Sequence, residues 1–356
     1  MRICLLAAPW VPVPPPAYGG SEAVLDTLAR GLQRAGHDVL LVASGDSTCP
    51  VPTSSVYAEA IGLGGGPAVE LRHVVHGYDA AAEWGAEIVH DHTLTGPVFG
   101  RQLSSIPVVT TNHGPFADDE LGPFYRSIAE DIPVIAISHH HAATAAPTRI
   151  AEVIHHGVDL DGFPVGDGSG DYALFLGRMV PEKGVHTAIR AARLAGRPLV
   201  VAAKMREHHE QAYFEAEVEP LLGAGIEFVG EADAAEKLEL LAGAACLLNP
   251  IDWPEPFGMV MAEALACGTP VLAHPRGSVP EIVDDGVTGF LRHHLDGLAS
   301  CLHRVGELDR AACRQAVQER FSADRMVTAH IELYERVVGQ ATGRPEATSA
   351  RRGRQR

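Results

Sequence analysis

Residues 254–271, PEPFGMVMAEALACGTPV, contain two glutamates eight positions apart, Glu255 and Glu263. Glu255 stands between two prolines, and a residue before proline avoids the helical backbone conformation. Pro256 suits the first turn of the helix that the apolar residues behind it predict. Glu263 is therefore expected about two turns inside this helix, roughly 10 Å beyond Glu255 at a rise of about 1.5 Å per residue. Carboxylates that far apart cannot act on one bond, but they can contact both ends of one extended ligand.

The same stretch indicates the class of that ligand. The N-terminus of a helix presents unpaired amide groups and the positive end of its dipole, so phosphates are favoured between the two glutamates. Glu263 has small or apolar neighbours, namely Ala262, Ala264, Leu265 and Ala266. A carboxylate in that setting is better explained by a ligand contact than by a solvated surface position. A nucleoside diphosphate sugar has the required shape, with ribose hydroxyls at one end and sugar hydroxyls at the other.

The composition is that of a soluble globular protein and limits the classes of partner. The chain has 356 residues, of which 46% are hydrophobic and 21% charged, and its formal net charge is −17. Such a surface repels phosphate backbones and anionic lipids, which disfavours nucleic acid and inner-leaflet membrane as partners. No apolar stretch reaches the ~18 residues of a transmembrane segment, and no signal-peptide cleavage site follows the N-terminal MRICLLAAPW. With six scattered cysteines, expected as reduced buried thiols, these features predict a cytoplasmic protein.

The chain alternates strand and helix patterns twice, around a Gly/Asp/Pro-rich linker at 159–171. Continuous apolar strands joined by helices predict parallel, doubly wound sheets. Strands are predicted at 2–8, 38–43, 87–92, 107–113, 133–138 and 151–157, then at 171–177, 198–203, 226–230, 246–250, 270–274 and 289–291. Helices are predicted from a cap at Ser21 to Gly36 and at 184–195, 209–222, 234–244 and 278–283. The predicted domains are 1–162 and 170–320, with a C-terminal helix at 323–338 and a disordered tail at 341–356.

Two further places in the chain suggest phosphate contacts. Gly19 and Gly20 separate a predicted strand from a predicted helix, where bare amides favour an anion, although a simple flexible turn would look the same. Arg178 and Lys183 follow the strand at 171–177 and precede a helix. In an acidic protein, two cations at one sheet edge are typical of a phosphate clamp, although solvated surface charges would also fit this segment alone.

Taken together, these motifs resemble those of retaining glycosyltransferases of the GT-B fold, similar to glycosyltransferase family 4. The family's two glutamates separated by seven residues appear as Glu255 and Glu263, followed by Gly-Thr-Pro at 268–270. The resemblance also covers Gly19-Gly20, TNHG at 111–114, GVD at 157–159, GRMVPEKG at 177–184 and EIVDDGVTGF at 281–290. It spans nearly the whole chain apart from the tail. It implies two doubly wound Rossmann-like domains facing across a cleft, with the C-terminal helix returning to the first domain.

The resemblance also implies roles for individual residues. Glu263 would bind the donor ribose, and Glu255 the hydroxyls of the transferred sugar. Arg178 and Lys183 would hold the diphosphate and stabilise it as the leaving group, and His113 would face the sugar ring near the reaction centre. The implied catalytic residues are Glu255, His113, Arg178 and Lys183; the implied donor-binding residues are Gly19, Gly20, Arg178, Lys183, Glu255, Phe257, Gly258, Met259, Val260 and Glu263.

The expected donor is a nucleoside diphosphate hexose, with UDP-glucose the first choice, because PPPAYGG at 14–20 and the segment 204–222 suggest a bacterial subgroup that often uses UDP-hexoses. No cofactor and no metal are expected, since the chain's histidines show neither HExxH nor a Cys/His zinc spacing. The acceptor is a small molecule, a glycan or a lipid, and the segment 115–125 is expected to border its site. The oligomeric state stays open.

Two other functional classes fit parts of the sequence. One is a different sugar-nucleotide enzyme of the same fold, such as an epimerase or a phosphorylase. A phosphorylase would normally have a longer chain and a Schiff-base lysine, and an epimerase would lack the paired glutamates together with Arg178 and Lys183. The other is a non-catalytic two-domain sugar-binding protein, which would not need the two cations. Release of UDP from UDP-glucose, with and without acceptors, separates these alternatives.

Overall fold

The computed structural model describes residues 1–62, 65–103, 105–341 and 343. The tail predicted at 341–356 lies outside these residues apart from Ala341 and Gly343. The strands are β1 (Arg2–Leu6), β2 (Asp38–Val42), β3 (Thr53–Ser54), β4 (Ile88–Asp91), β5 (Val108–Thr111), β6 (Val134–Ala136), β7 (Ile150–Val153), β8 (Ala173–Arg178), β9 (Leu199–Lys204), β10 (Ile226–Gly230), β11 (Cys246–Asn249), β12 (Val271–Ala273) and β13 (Gly289–Leu291). The helices are α1 (Gly20–Arg34), α2 (Pro67–Trp84), α3 (Gly96–Leu103), α4 (Leu121–Ile128), α5 (His139–Thr144), α6 (Val185–Leu194), α7 (His208–Tyr213), α8 (Ala234–Gly243), α9 (Met259–Ala266), α10 (Val279–Ile282), α11 (Leu295–Leu302), α12 (Arg310–Arg320) and α13 (Ala323–Ala341).

The strands form two sheets whose neighbouring strands are all parallel. The first has the order β3-β2-β1-β4-β5-β6-β7 and the second β10-β9-β8-β11-β12-β13. In each sheet the chain winds outward from one central strand and then returns to that strand's other side, between β1 and β4 and between β8 and β11. Ligands of such sheets bind beyond the carboxyl ends of the strands at this reversal. The predicted fold class is confirmed, whereas the domain boundaries stay a prediction.

Helices cover both faces of the first sheet because its strands are apolar on both sides. Ile3 and Leu5 of β1 pack with residues of α1 and α13, whereas Cys4 and Leu6 pack with residues of α2. This alternation follows from the two-residue period of a strand and explains why β1 reads as a continuous apolar run. All six cysteines are buried and unpaired. No helix among the described residues is long and apolar enough to cross a membrane.

Three local predictions were wrong. Ser21 lies inside α1, and the N-cap is Gly19, which has no side chain to offer. Pro256 lies outside the helix, because α9 begins only at Met259 after Gly258 adopts the left-handed conformation with φ 84°. A regular α-helix was predicted at 209–222, but α7 ends at Tyr213. The chain then forms a π-turn and a short 3₁₀ turn that contains Pro220. The proline cannot donate the hydrogen bond that a regular α-helix needs there.

The chain crosses between the two sheets at two places that lie side by side. Val158, beyond β7, donates its N–H to the carbonyl of Phe321, and Ala323 at the start of α13 donates back to the carbonyl of Val158, at 2.8 and 3.0 Å. From there α13 runs back onto the first sheet, where its Met326, Val327, Leu333 and Tyr334 join the core around α1. The predicted return of the C-terminal helix to the first domain is therefore confirmed.

Five histidines form a row at the carboxyl edge of the first sheet, with His90, His156 and His330 buried and His92 and His113 partly exposed. His90 hydrogen-bonds with the Tyr334 hydroxyl at 2.6 Å and with Thr111 Oγ1 at 2.8 Å. Burial is the largest cause of a lowered pKa in all five, and it brings the pKa values of His113 and His330 to about 4. The row is therefore neutral at pH 7.

The histidine row makes the stability of the first domain dependent on pH. A lowered pKa in the folded state means that the unfolded chain binds more protons between the usual 6.5 and about 4, so protonation favours unfolding. We expect the melting temperature to fall as the pH drops through this range, with His330 alone contributing on the order of 1–2 kcal/mol between pH 7 and 5. His330→Asn should show a smaller fall than the wild type. His303→Asn, at an exposed position, should fall as much as the wild type, and equal falls in all three proteins would contradict the prediction.

The contact between α1 and α13 depends on a missing side chain. A β-carbon at Gly31 of α1 would overlap Cγ2 of Val327 on α13, and the β-branched valine has little freedom to move away. Gly31→Ala should therefore destabilise the protein by about 1–3 kcal/mol through overpacking, measured as a fall in melting temperature. In combination with Val327→Ala the loss should be less than the sum of the two single losses. Gly306→Ala is the control, since a β-carbon there meets nothing within 4 Å; strict additivity would refute this explanation.

Candidate active site

The loop after β8 carries Lys183 to the reversal point of the second sheet. Lys183 ends a short 3₁₀ turn, Pro181–Lys183, and Gly184 follows it with φ 76°. A β-carbon at Gly184 would overlap the carbonyl oxygen of Pro250, in the loop after β11. The position therefore needs glycine both for its left-handed conformation and for the close approach of the two loops. This approach places Lys183 beside the segment that carries Glu255.

Glu255 lies in the extended segment between β11 and α9 and is only 8% exposed. The N–H of Ser278 holds its backbone by donating to the Glu255 carbonyl at 2.9 Å. On the side chain, the carboxylate oxygen Oε2 accepts hydrogen bonds from Lys183 Nζ at 2.5 Å and from the indole Nε1 of Trp253 at 3.0 Å. Lys183 Nζ also lies 5.1 Å from the centroid of the Trp253 ring. The three side chains form one compact unit at the sheet edge.

Glu263 has a separate cationic partner. It is the fifth residue of α9, is 7% exposed, and accepts a hydrogen bond from Lys237 Nζ at 2.7 Å. Lys237 belongs to α8. This helix begins with a capping box, in which the side chains of Asp233 and Glu236 each accept a hydrogen bond from a backbone N–H group. The two glutamates of the motif therefore pair with different lysines, and α9 begins between them. This geometry agrees with contacts to two ends of one ligand, and Lys237 was not predicted from the sequence.

Arg178, at the end of β8, forms an ion pair with a buried carboxylate without a hydrogen bond from its Nε. Its Nε lies 3.4 Å from Oε1 of Glu210, which is fully buried and also accepts from Lys204 Nζ at 3.1 Å. Burial alone would raise the pKa of Glu210, but the backbone N–H groups of Glu207 and Arg206 and the Lys204 ammonium outweigh it and leave the pKa below its ordinary value. Glu210 is therefore ionised and anchors both cations.

Two helix N-termini without side-chain caps, one from each sheet, lie close together. α1 begins after Gly19 and α9 after Gly258, and neither N-cap has a side chain that accepts from the first turn. A β-carbon at Gly20 would lie 4.0 Å from Cγ of Met259, and Met259 is the first residue of α9. Beside them, the N–H of Tyr18 donates to Glu231 at 3.2 Å, which joins the first domain's loop to the second. Unpaired amides from both domains thus converge at this point, as an anion requires.

His113 connects to the second domain through one further ring. Its Nε2 hydrogen-bonds with Nδ1 of His92 at 2.9 Å, and its ring stacks on His156 with centroids 5.2 Å apart. His156 meets Phe257, just before α9, edge to face at 5.2 Å. Phe257 itself is buried, and Ser278 Oγ donates to its carbonyl at 2.7 Å. His113 is therefore held in place by the histidine row on one side and approaches the Glu255 segment on the other.

Glu281 of α10 builds a second contact between the domains. Its carboxylate accepts from the backbone N–H groups of His139 and His140 at 2.9 and 2.7 Å, and from His155 Nε2 at 2.8 Å. Burial raises the pKa of Glu281, but these bonds outweigh it and leave the pKa below its ordinary value. Ligand atoms of His139, His155 and Glu281 lie within 4.8 Å of one another, a spacing that a metal ion could bridge. Both carboxylate oxygens already accept from N–H donors, so the three residues form a joint between the domains.

The structure brings most of the residues named by the sequence to one cleft. Arg178, Lys183, Glu255 and Glu263 line its second-domain side, and Gly19 and Gly20 lie opposite. Residues that sequence reasoning missed surround them: Tyr18, Lys204, Glu210, Lys237 and Trp253. The position of Trp253 beside Glu255 could have been predicted, because residues two apart in an extended segment point to the same side. Tyr18 directly precedes Gly19, whereas Lys204, Glu210 and Lys237 come from positions more than twenty residues from the glutamates and cations that they contact or surround, apart from the Lys204–Glu210 pair itself.

Comparison with known proteins gives the same result for both halves of the chain. Residues 18–161 match the model for Glycosyltransferase Family 4, and residues 166–295 match that for glycosyl transferases group 1. The D-inositol 3-phosphate glycosyltransferase of Mycobacterium leprae (strain Br4923) is 31% identical over 303 residues, covering 72% of this chain and 70% of that protein. The enzyme of the same name from Mycobacterium avium (strain 104) is 29% identical and covers 96% and 95%.

Solved structures share the fold. A sucrose-phosphate synthase from Thermosynechococcus elongatus aligns with TM-score 0.79 and 22% identity over 95% of this chain and 99% of that one. The Anabaena protein HepE, crystallised with UDP and glucose, aligns with TM-score 0.73 and 21% identity over 94% and 99%. By sequence and by fold, the chain belongs to the group 1 and family 4 glycosyltransferases and has their GT-B architecture.

Proposed function

We propose that this glycosyltransferase moves a hexose from a nucleoside diphosphate donor, UDP-glucose in the first instance, to an acceptor hydroxyl with retention of configuration. The observation that carries the proposal is the pairing of two carboxylates with two lysines on either side of the start of α9. Lys183 pairs with Glu255 before the helix, and Lys237 pairs with Glu263 within it. Each end offers a carboxylate for hydroxyl groups, and the span between them offers amides and cations for a diphosphate. The first test is release of UDP from UDP-glucose in an acceptor screen, with product stereochemistry read by NMR.

Donor binding on this proposal uses groups that already neighbour one another. The diphosphate draws on Lys183, Arg178 and the open amides at the starts of α9 and α1. Ribose hydroxyls donate to Glu263, and sugar hydroxyls donate to Glu255, whose Oε1 is not the oxygen that Lys183 and Trp253 contact. The relative named above that was crystallised with UDP and glucose supports this choice of donor class. His113 then faces the sugar from the first domain.

The chemistry follows from where charge develops. As the bond to the diphosphate breaks, negative charge grows on the leaving phosphate and positive charge on the anomeric carbon. Lys183 and Arg178 stabilise the first, and the carboxylate of Glu255 stabilises the second. Neither glutamate serves as a covalent nucleophile; the acceptor attacks from the face that the phosphate leaves, and the phosphate takes the acceptor's proton. Retention results from that same-face attack.

The cations make a divalent metal unnecessary in this proposal, so transfer should continue in EDTA. Lys183→Ala and Arg178→Ala should each lower kcat by about 10²-fold or more, the scale of removing one electrostatic contact to a transition state. Exposed Arg193 of α6 provides a control cation, and Arg193→Ala should keep full activity. Complete loss of turnover in chelator that Mg²⁺ restores would refute the metal-independent mechanism.

The two glutamates should differ in steady-state kinetics. Glu263 holds the ribose in both the ground state and the transition state, so Glu263→Ala should mainly raise the donor KM, by roughly 10–150-fold for a charge-assisted hydrogen bond of about 1.5–3 kcal/mol. The negative charge of Glu255 matters most as the sugar becomes cationic, so Glu255→Gln should lower kcat more than it raises KM. Full kcat in Glu255→Gln, with kcat lost and KM unchanged in Glu263→Ala, would show that the two roles are wrongly assigned.

A further inference from the structure

Trp253 has contacts that its position in the loop after β11 does not by itself explain. Its indole Nε1 donates to Glu255 Oε2 at 3.0 Å, the same oxygen that Lys183 contacts, and Lys183 Nζ lies over its ring. The indole has a single polar hydrogen, and it is spent on this carboxylate. Trp253 is half-buried, and the neighbouring Asp252 N–H donates to the Glu182 carbonyl at 2.8 Å, which fixes the tryptophan's backbone against the turn that carries Lys183.

The two partners of Glu255 differ in what a donor would do to them. A diphosphate attracts the Lys183 ammonium, because a phosphate carries more negative charge than one carboxylate and is the group the lysine is proposed to hold. The indole N–H is neutral and has no comparable attraction to the diphosphate. If Lys183 turned toward the phosphates, the hydrogen bond from Trp253 would remain on Oε2 and would keep the carboxylate in place. Oε1, the oxygen that neither side chain contacts, would then accept from sugar hydroxyls.

We propose that Trp253 is a positioning residue, which holds the Glu255 carboxylate in its reactive orientation while Lys183 is engaged by the donor diphosphate. This inference rests on the proposed function and extends it to a residue that does not itself touch the reacting atoms. A preorganised carboxylate needs no reorganisation as charge develops on the sugar, so its benefit appears in the transition state. The ring beneath Lys183 adds a cation–π contact that keeps the ammonium close to both anions.

Trp253→Phe separates the hydrogen bond from the ring. Phenylalanine keeps an aromatic face under Lys183 and removes the N–H donor, together with the five-membered ring that carries it; the control substitution below makes the same change in ring size. The matched control is Trp84→Phe, because Trp84 at the end of α2 also lies under a cation, the Arg2 guanidinium 4.5 Å from its centroid, but on the first sheet, beside the start of β1. Four variants are compared with the wild type: Trp253→Phe, Trp84→Phe, Glu255→Gln, and Glu255→Gln combined with Trp253→Phe. For each, kcat and KM are measured with UDP-glucose, and the Kd for UDP is measured by calorimetry.

We expect Trp253→Phe to lower kcat about tenfold or more, the scale of a hydrogen bond to a charged group, with the Kd for UDP unchanged. In the Glu255→Gln background the same substitution should have less than about a twofold effect, since there is no carboxylate left to position. Trp84→Phe should behave as wild type in every measurement.

Three results would overturn the inference: full kcat in Trp253→Phe, a weaker Kd for UDP that accounts for the loss, or an undiminished effect of Trp253→Phe in the Glu255→Gln background. The last would mean that the tryptophan acts independently of Glu255. A wild-type protein that releases no UDP from any UDP-hexose would refute the proposed function, and this inference with it. Wild-type turnover together with an unaffected Trp253→Phe refutes the inference alone.

Discussion

The ion pair between Lys183 and Glu255 is the interaction on which the ligand edge of the second sheet depends. Taking two charges partly out of water costs free energy, and their attraction repays it only when the geometry is good and further hydrogen bonds are made. The indole of Trp253 supplies such a bond, and the backbone makes room at two glycines, Gly184 and Gly277, where a β-carbon would overlap the opposing chain. The loops after β8 and β11 are thereby held together as one surface.

The other cations at the ligand edge of the second sheet are also paired with carboxylates. A chain with a net charge of −17 concentrates several cations at this edge, and each lies beside a buried carboxylate: Lys204 and Arg178 share Glu210, Lys183 pairs with Glu255, and Lys237 pairs with Glu263. Such pairing orients each cation and limits repulsion among them. An anionic ligand then meets positions that are already fixed, which reduces the entropy lost on binding.

Sequence reasoning found what is local and periodic, and missed what depends on distant parts of the chain. The continuous apolar strands and the spacing of Glu255 and Glu263 predicted both sheets and the segment between β11 and α9. The start of α9 was misplaced because Pro256 is compatible with a first helical turn, whereas the backbone instead turns at Gly258. Lys237 is 26 positions before Glu263, and its contact exists only because α8 packs beside α9. No pattern within one element encodes that packing.

The paired crossing of the chain at Val158 and Phe321 has a mechanical consequence. Because the chain passes between the two sheets at these two hydrogen-bonded segments, a change in the angle between the sheets has to bend both segments at this place. The hydrogen bond between Glu281 and His155 lies three residues along the chain from Val158, whereas that between Tyr18 and Glu231 joins residues remote in sequence from both crossings. If the two sheets move apart, the hydrogen bonds at Val158 should therefore change least.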